Sequence, residues 1–185
     1  CQNGSKTTGN ASTARVTGGF ESWMESNVSR GTGGASNAAG AAPTDASNAN
    51  KRALTETLLK SVLQSCFSNG GEPSIAICGP VNKQVISGFT GRSQARQFVD
   101  VNTVEASVSI YSSDFGDLKI VPSNLSRERS LLLVDPEYAK VSFLRDFNVQ
   151  DIAKIGDAET KMIVAEYGLE MSNEAAHGVV ADLTG

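Results

Sequence analysis

The sequence is poor in the residues that usually carry chemistry. It has one histidine, His177, and three cysteines, Cys1, Cys66 and Cys78. A lone histidine with scattered cysteines offers no C-x-x-C pair and no H-E-x-x-H helix, which leaves no zinc framework and no disulfide scaffold. Cys66 and Cys78 sit among apolar residues and read as small core hydrophobes, a pattern that suits a reducing interior. No run of about 18 apolar residues is present to cross a bilayer, so the chain is expected to be soluble and without a membrane partner. An excess of positive charge is also missing. The net charge is −4 and the pI about 5.0, where a dedicated nucleic-acid binder would show a basic stripe. Acidity is compatible with enclosing nucleic acid, because a container wall should not hold its contents through counterion-releasing contacts.

What is present suits one large domain or two lobes sharing a core. At 185 residues, 39% of them hydrophobic, a compact chain would bury roughly 70% of the surface its unfolded form exposes. Residues 1–47 are rich in Gly, Ser, Thr, Ala and Asn and hold no sustained period. They read as an extended polar arm. One patch interrupts it, formed by Phe20, Trp23 and Met24 with Val28 beyond. Two readings remain open at this point: a turn covering the edge of the chain's own core, or an anchor that straps the arm to a neighbouring subunit.

Leu54, Leu58, Leu59, Val62, Leu63, Cys66 and Phe67 share one helical face, predicting a helix over 48–68 capped by Ser47 or Asn48 and stopped at Asn69-Gly70-Gly71. A strand is predicted over 75–78. Pro80 then opens a second helix with Val81, Val85, Ile86 and Phe89 inward. Alternation of Val104, Ala106, Val108 and Ile110 predicts a half-buried strand, with 118–121 its hairpin partner across the Asp114–Asp117 turn. Strands follow over 131–134 and 139–144, then a loop or short helix over 151–158. The longest strand spans 161–171, with Ile163, Ala165, Tyr167, Leu169 and Met171 on its apolar face and Glu166 and Glu170 opposite. A last short strand is expected over 179–183. The fold class is α+β, two early helices and then antiparallel strands.

Candidate motifs dissolve on inspection. Asp114-Phe115-Gly116 matches the magnesium-holding tripeptide of protein kinases, but the glycine-rich loop, strand lysine and His-Arg-Asp loop are missing, and the tripeptide reads as a turn. Gly31-Thr32-Gly33-Gly34-Ala35-Ser36 fails the dinucleotide fingerprint at its last position, and Gly4-Ser5-Lys6-Thr7 has only the end of a phosphate loop. The sequons at Asn10, Asn27 and Asn124 are chance matches in an Asn/Ser/Thr-rich chain. Glu174 and His177 fall in a turn, and Arg127, Glu128 and Arg129 beside Asp135 suggest a solvated ion-pair cluster. There is no G-x-S-x-G elbow. The reading is no enzyme, no catalytic, cofactor-binding or metal residues, and no cofactor.

Longer blocks say more. Ser113-Asp114-Phe115-Gly116-Asp117-Leu118-Lys119-Ile120-Val121-Pro122 resembles a segment of tailed-bacteriophage major head proteins with the Hong Kong 97-like fold. The likeness continues through Leu132–Tyr138, Ala153–Glu159 and Asn173–Gly178. Upstream it takes in Asn27–Gly31, Arg52–Glu56 and Gly79–Phe89, in the family's order and at family-like spacing from about Thr7 onward. The resemblance implies a major capsid protein, its C-terminal part, that builds an icosahedral shell around double-stranded DNA without sequence-specific binding. It implies a peripheral lobe (48–75 and 155–185) and an axial lobe (76–154). It further implies hexameric and pentameric capsomers of the same chain, with portal, scaffold or decoration proteins as further partners. Residence would be the virion, after assembly in the host bacterial cytoplasm. In such proteins an arm, an extended loop and a spine helix come first, so the chain is expected to be either cleaved or part of a longer sequence. The competing reading is another virion protein, a decoration or tail-tube subunit.

Overall fold

The computed structural model describes residues 4–37, 39–89, 109–153 and 156–185. Its elements in chain order are β1 (Val28–Ser29), α1 (Glu56–Ser68), β2 (Ile75–Cys78), α2 (Pro80–Ser87), β3 (Ile110–Ser113) and β4 (Gly116–Pro122). They continue with β5 (Leu131–Val134), β6 (Ala139–Ile152), β7 (Thr160–Met171) and β8 (Gly178–Val180). The fold is mixed α+β, mostly sheet, with two α-helices among the described residues.

Six strands form one sheet in the order β1-β8-β5-β2-β4-β3. It is mixed rather than antiparallel as expected: β2 runs parallel to β4, and β1 parallel to β8. The chain leaves β2 through α2 and enters β4 only after the β3 turn, so β4 returns in the same direction as β2. Strands β4 and β5 fall where the apolar spacing put them, and β3 pairs with β4 as a hairpin but begins only at Ile110. Of the predicted strand over 104–110, residues 104–108 lie outside the described ones. Ile110 itself is exposed and Tyr111 is the buried member of β3.

Helix α1 begins later than its apolar face suggested. Thr55 is the N-cap, its side chain accepting from the Leu58 N–H, while residues 48–50 form a separate 3-10 turn without a side-chain cap. The reason lies at the other end of the chain. The Arg52 N–H donates to the Asp182 carbonyl and the Thr184 N–H to the Arg52 carbonyl, both at 2.9 Å, so Arg52 is committed to a parallel bridge and not to a helix. Leu59, Val62, Leu63 and Cys66 then bury one face of α1 on the sheet. Close approach needs Gly178. A Cβ there would sit 2.6 Å from Val62 Cγ1 and 2.9 Å from the Cys66 sulfur. In α2, Pro80 holds the first turn as expected, but Asn82 is buried and Val85 exposed; the Asn82 amide donates to the Glu128 carbonyl at 2.6 Å.

A second, smaller core lies on the other side of β5 and β8, built from Phe20, Met24, Leu132, Val179 and Ala181. Of the two readings of the aromatic patch, the structure shows the turn that covers the chain's own core. Phe20 and Met24 are buried within this chain. Strands β6 and β7 stand apart as a two-stranded ribbon that, among the described residues, pairs with no other strand. Strand β6 runs to Ile152, through part of the stretch expected to be loop or helix. Among the described residues, no helix is long and apolar enough to cross a membrane.

Candidate assembly surface

The ribbon puts its side chains on two unlike faces. Val141 lies opposite Leu169, Phe143 opposite Tyr167, and Val149 opposite Ile163. Register shifts around Arg145 bring Phe147 to the same side, its ring 6.1 Å from that of Phe143, which in turn lies 5.8 Å from Tyr167. The other face carries the Arg145–Glu166 ion pair and the Ser142–Glu170 hydrogen bond. Sequence alternation therefore assigned the two faces of β7 correctly. It could not say whether the apolar face is covered. Leu169 and Met171 do pack against the second core, at the ribbon's base. Farther out, Ile163 is 68% and Tyr167 64% exposed, as are Val141, Phe143, Phe147 and Val149 at half or more. Twelve strand residues reach about 40 Å, so this is a long apolar strip, larger than the scattered exposed residues of an ordinary surface.

Two polar clusters built on buried carboxylates hold the N-terminal segment against the 127–129 loop and the end of the chain. Glu21, fully buried, lies between Arg30 at 3.5 Å and Arg127 at 3.3 Å, and Arg127 also pairs with Asp45. Asp182, likewise buried, accepts from the Gly31 N–H at 3.0 Å and pairs with Arg129 at 3.1 Å. The predicted cluster of Arg127, Glu128 and Arg129 beside Asp135 is thus corrected. The two arginines turn to carboxylates far away in sequence, of which Glu21 and Asp182 are fully buried and Asp45 partly exposed.

The remaining motif residues serve the fold. Asp114 and Gly116 (φ +127°) make the β3–β4 turn, with Phe115 against Phe67 at 5.2 Å. Tyr111 donates to Glu56 at 3.0 Å, and burial together with that carboxylate holds its phenol above the ordinary range. Burial pushes the Cys66 thiol up to about 12, so it stays protonated and unreactive. A groove of about 1210 Å³ between residues 6–18 and the ribbon is lined by Lys6, Arg15, Trp23, Leu144, Glu166 and Tyr167, among others. Among the described residues, no three His, Cys, Asp or Glu side chains are grouped to hold a metal. The arrangement offers surface and no convergent set of reactive groups.

A model of the SU10 major capsid protein family matches residues 1–184. The chain belongs to that family. A major capsid protein family is structural, and the exposed strip becomes the feature of interest. No curated protein matches the chain. Among solved structures, a virus-like particle from Pyrococcus furiosus is similar at 17% identity and a TM-score of 0.37, over 70% of this chain and 53% of that one. An encapsulin complex from Synechococcus elongatus is similar at 19% identity and a TM-score of 0.42, over 71% and 50%. The chain thus spans about half the length of these structures.

Proposed function

We propose that this chain forms the wall of an icosahedral phage head, as the C-terminal part of a major capsid subunit with the Hong Kong 97-like fold. The observation that carries the reading, beside family membership, is the uncovered apolar face of the β6–β7 ribbon. An isolated two-stranded ribbon is marginal in water, and one with a wet apolar face is more so. Such a ribbon makes sense in a protein that completes itself on assembly. Closed shells repeat heterologous contacts around five- and six-fold positions, and each subunit can bury far more than a standard pairwise interface.

On this reading α1 and the ribbon strand β7 belong to a peripheral lobe (48–75 and 155–185), and residues 76–154 to an axial lobe. Residues 1–47 are the polar arm, whose turn at Phe20–Met24 covers the chain's own core. The partners are further copies of the chain in hexameric and pentameric capsomers, with portal, scaffold or decoration proteins beside them. The negative net charge suits a wall that encloses double-stranded DNA without gripping it. The virion is its place, after assembly in the host bacterial cytoplasm, and no catalytic role is assigned. Electron microscopy of the expressed gene product tests the reading: closed shells support it, whereas tubes or isolated knobs would assign the chain to a tail tube or a decoration protein.

A further inference from the structure

We propose that His177 is an acid-sensitive joint, fixing the ribbon to the body of the subunit when neutral and releasing it when protonated. The chain enters the ribbon through Asp135–Tyr138 into β6 and leaves it through Ser172–Asn173 out of β7. Both are bonded to His177, the first through its side chain and the second through its backbone. The Asp135 N–H donates to His177 Nδ1 at 3.1 Å on the first link, and the His177 N–H donates to the Glu174 carbonyl at 3.1 Å just past the second. The links are tied to each other by the Ser172 N–H on the Tyr138 carbonyl at 2.9 Å.

The Asp135 bond dictates the state of the ring. A backbone N–H can only donate, so Nδ1 must carry the lone pair and Nε2 the proton. The imidazole is therefore neutral, fully buried, and edge-on to Phe20 at 5.2 Å. Nε2 has no hydrogen-bond partner among the described residues. A second proton would have to go on Nδ1. It would then face the Asp135 N–H donor to donor and break that hydrogen bond.

Groups on the packed elements surround the ring. From the β5–β6 turn come the Asp135 carboxylate and the Tyr138 carbonyl, and from the 3-10 turn at 174–176 the Glu174 carboxylate; all favour the cation. Their capacity is partly used. Asp135 accepts from the Glu137 N–H, and Glu174 is held by Ser26 and the Glu25 N–H. From α1 comes the Cys66 thiol, which donates to the His177 carbonyl, and the N-terminal turn brings Glu21, already paired with arginines. Burial outweighs the favourable groups and holds the imidazole below its ordinary value. A base whose folded pKa is depressed stabilises the closed form above its unfolded value, near 6.5, and that stability is lost as pH falls toward the folded pKa.

Opening should begin at the ribbon's base, because Ala139, Leu169 and Met171 are only partly buried there while β2 and β5 lie in the main core. Since this is the only histidine in the chain, exchange of its imidazole C2 proton, followed by mass spectrometry, reports its titration without ambiguity. Amide exchange on the same samples reads the ribbon. We expect a His177 midpoint below 6.5. Peptides covering 135–141 and 168–172 should lose protection through that midpoint by at least about ten-fold beyond the intrinsic pH effect, while those covering β2 and β5 stay protected. His177→Gln, which cannot titrate, should abolish the step. If that variant does not fold, the coincidence of the two midpoints in the unaltered chain decides alone. Unchanged ribbon protection through the His177 midpoint would overturn the proposal, as would a step that survives in His177→Gln or one shared equally by β2 and β5. Each measurement reads the subunit itself, so failure to form shells leaves the outcome unaffected.

Discussion

The buried carboxylate of Asp182 accepts the backbone N–H of Ala46 at 2.8 Å, joining positions 136 residues apart. The same carboxylate takes the Gly31 N–H and pairs with Arg129, so one side chain near the chain's end pins two points of the N-terminal segment. Asp182 holds a left-handed φ of 58°, a conformation asparagine tolerates and alanine does not favour. Asp182→Ala should therefore cost about 3–5 kcal/mol, chiefly by leaving Arg129 and two N–H groups unanswered. Asp182→Asn should cost less, about 1–3 kcal/mol. Urea unfolding midpoints of the three chains check the order.

Protection of the N-terminal turn offers a second test. Phe20, Glu21, Ser22 and Met24 are buried by their own chain, with Glu21 between Arg30 and Arg127. Amides of residues 20–24 should exchange slowly in dissociated subunits and in shells alike. Fast exchange in the dissociated state would show that this turn needs a neighbour after all.

Acid should act on the molecule a second time, below the range of His177. Burial raises the Glu174 pKa, but hydrogen bonds from the Ser26 hydroxyl and the Glu25 and Ser26 N–H groups outweigh it and hold the carboxyl below the ordinary range. A depressed carboxylate contributes stability above its unfolded value, near 4.5, that is lost as pH falls through the folded one. Glu174→Gln should flatten the stability profile below about pH 4.5. Thermal midpoints measured from pH 3 to 7 would show it, and a profile unchanged by the substitution would remove Glu174 from the account.

Along β7, three neighbouring positions should answer differently. Leu169 packs on the second core, so Leu169→Asp should cost about 2–4 kcal/mol of folding stability. Glu170 is exposed and accepts only from Ser142, so Glu170→Gln should leave folding unchanged. Ile163 is exposed on the apolar face, so Ile163→Asp should leave the subunit's stability nearly unaltered yet stop assembly. Circular dichroism melts combined with sedimentation separate the three. An Ile163→Asp chain that assembles normally would show that the outer strip is not an interface.

How far the sequence could be read depended on whether a signal was local. Apolar spacing placed α1's buried face, the β2, β5 and β7 strands and the Asp114–Gly116 turn within a few residues of where they stand. Strand β6 was cut short at Leu144 because Arg145, Asp146 and the register shifts around them break the alternation. The start of α1 was misplaced because its limit is set by Asp182 and Thr184, more than 120 residues away. The Glu21–Arg127 pair, across 106 positions, left no trace in sequence at all. Alternation named the ribbon's apolar face, but burial of that face depends on what lies over it, and no pattern within one strand records that.

Whether the apolar face of the ribbon builds a shell is decided by sedimentation velocity of the expressed gene product at assembly concentration, with the Ile163→Asp chain run beside it. The account predicts a fast-sedimenting closed particle for the unaltered chain and only free subunits or small capsomers, equally well folded, for the variant. An unaltered chain that stays monomeric, or a variant that forms the same particle, would contradict it.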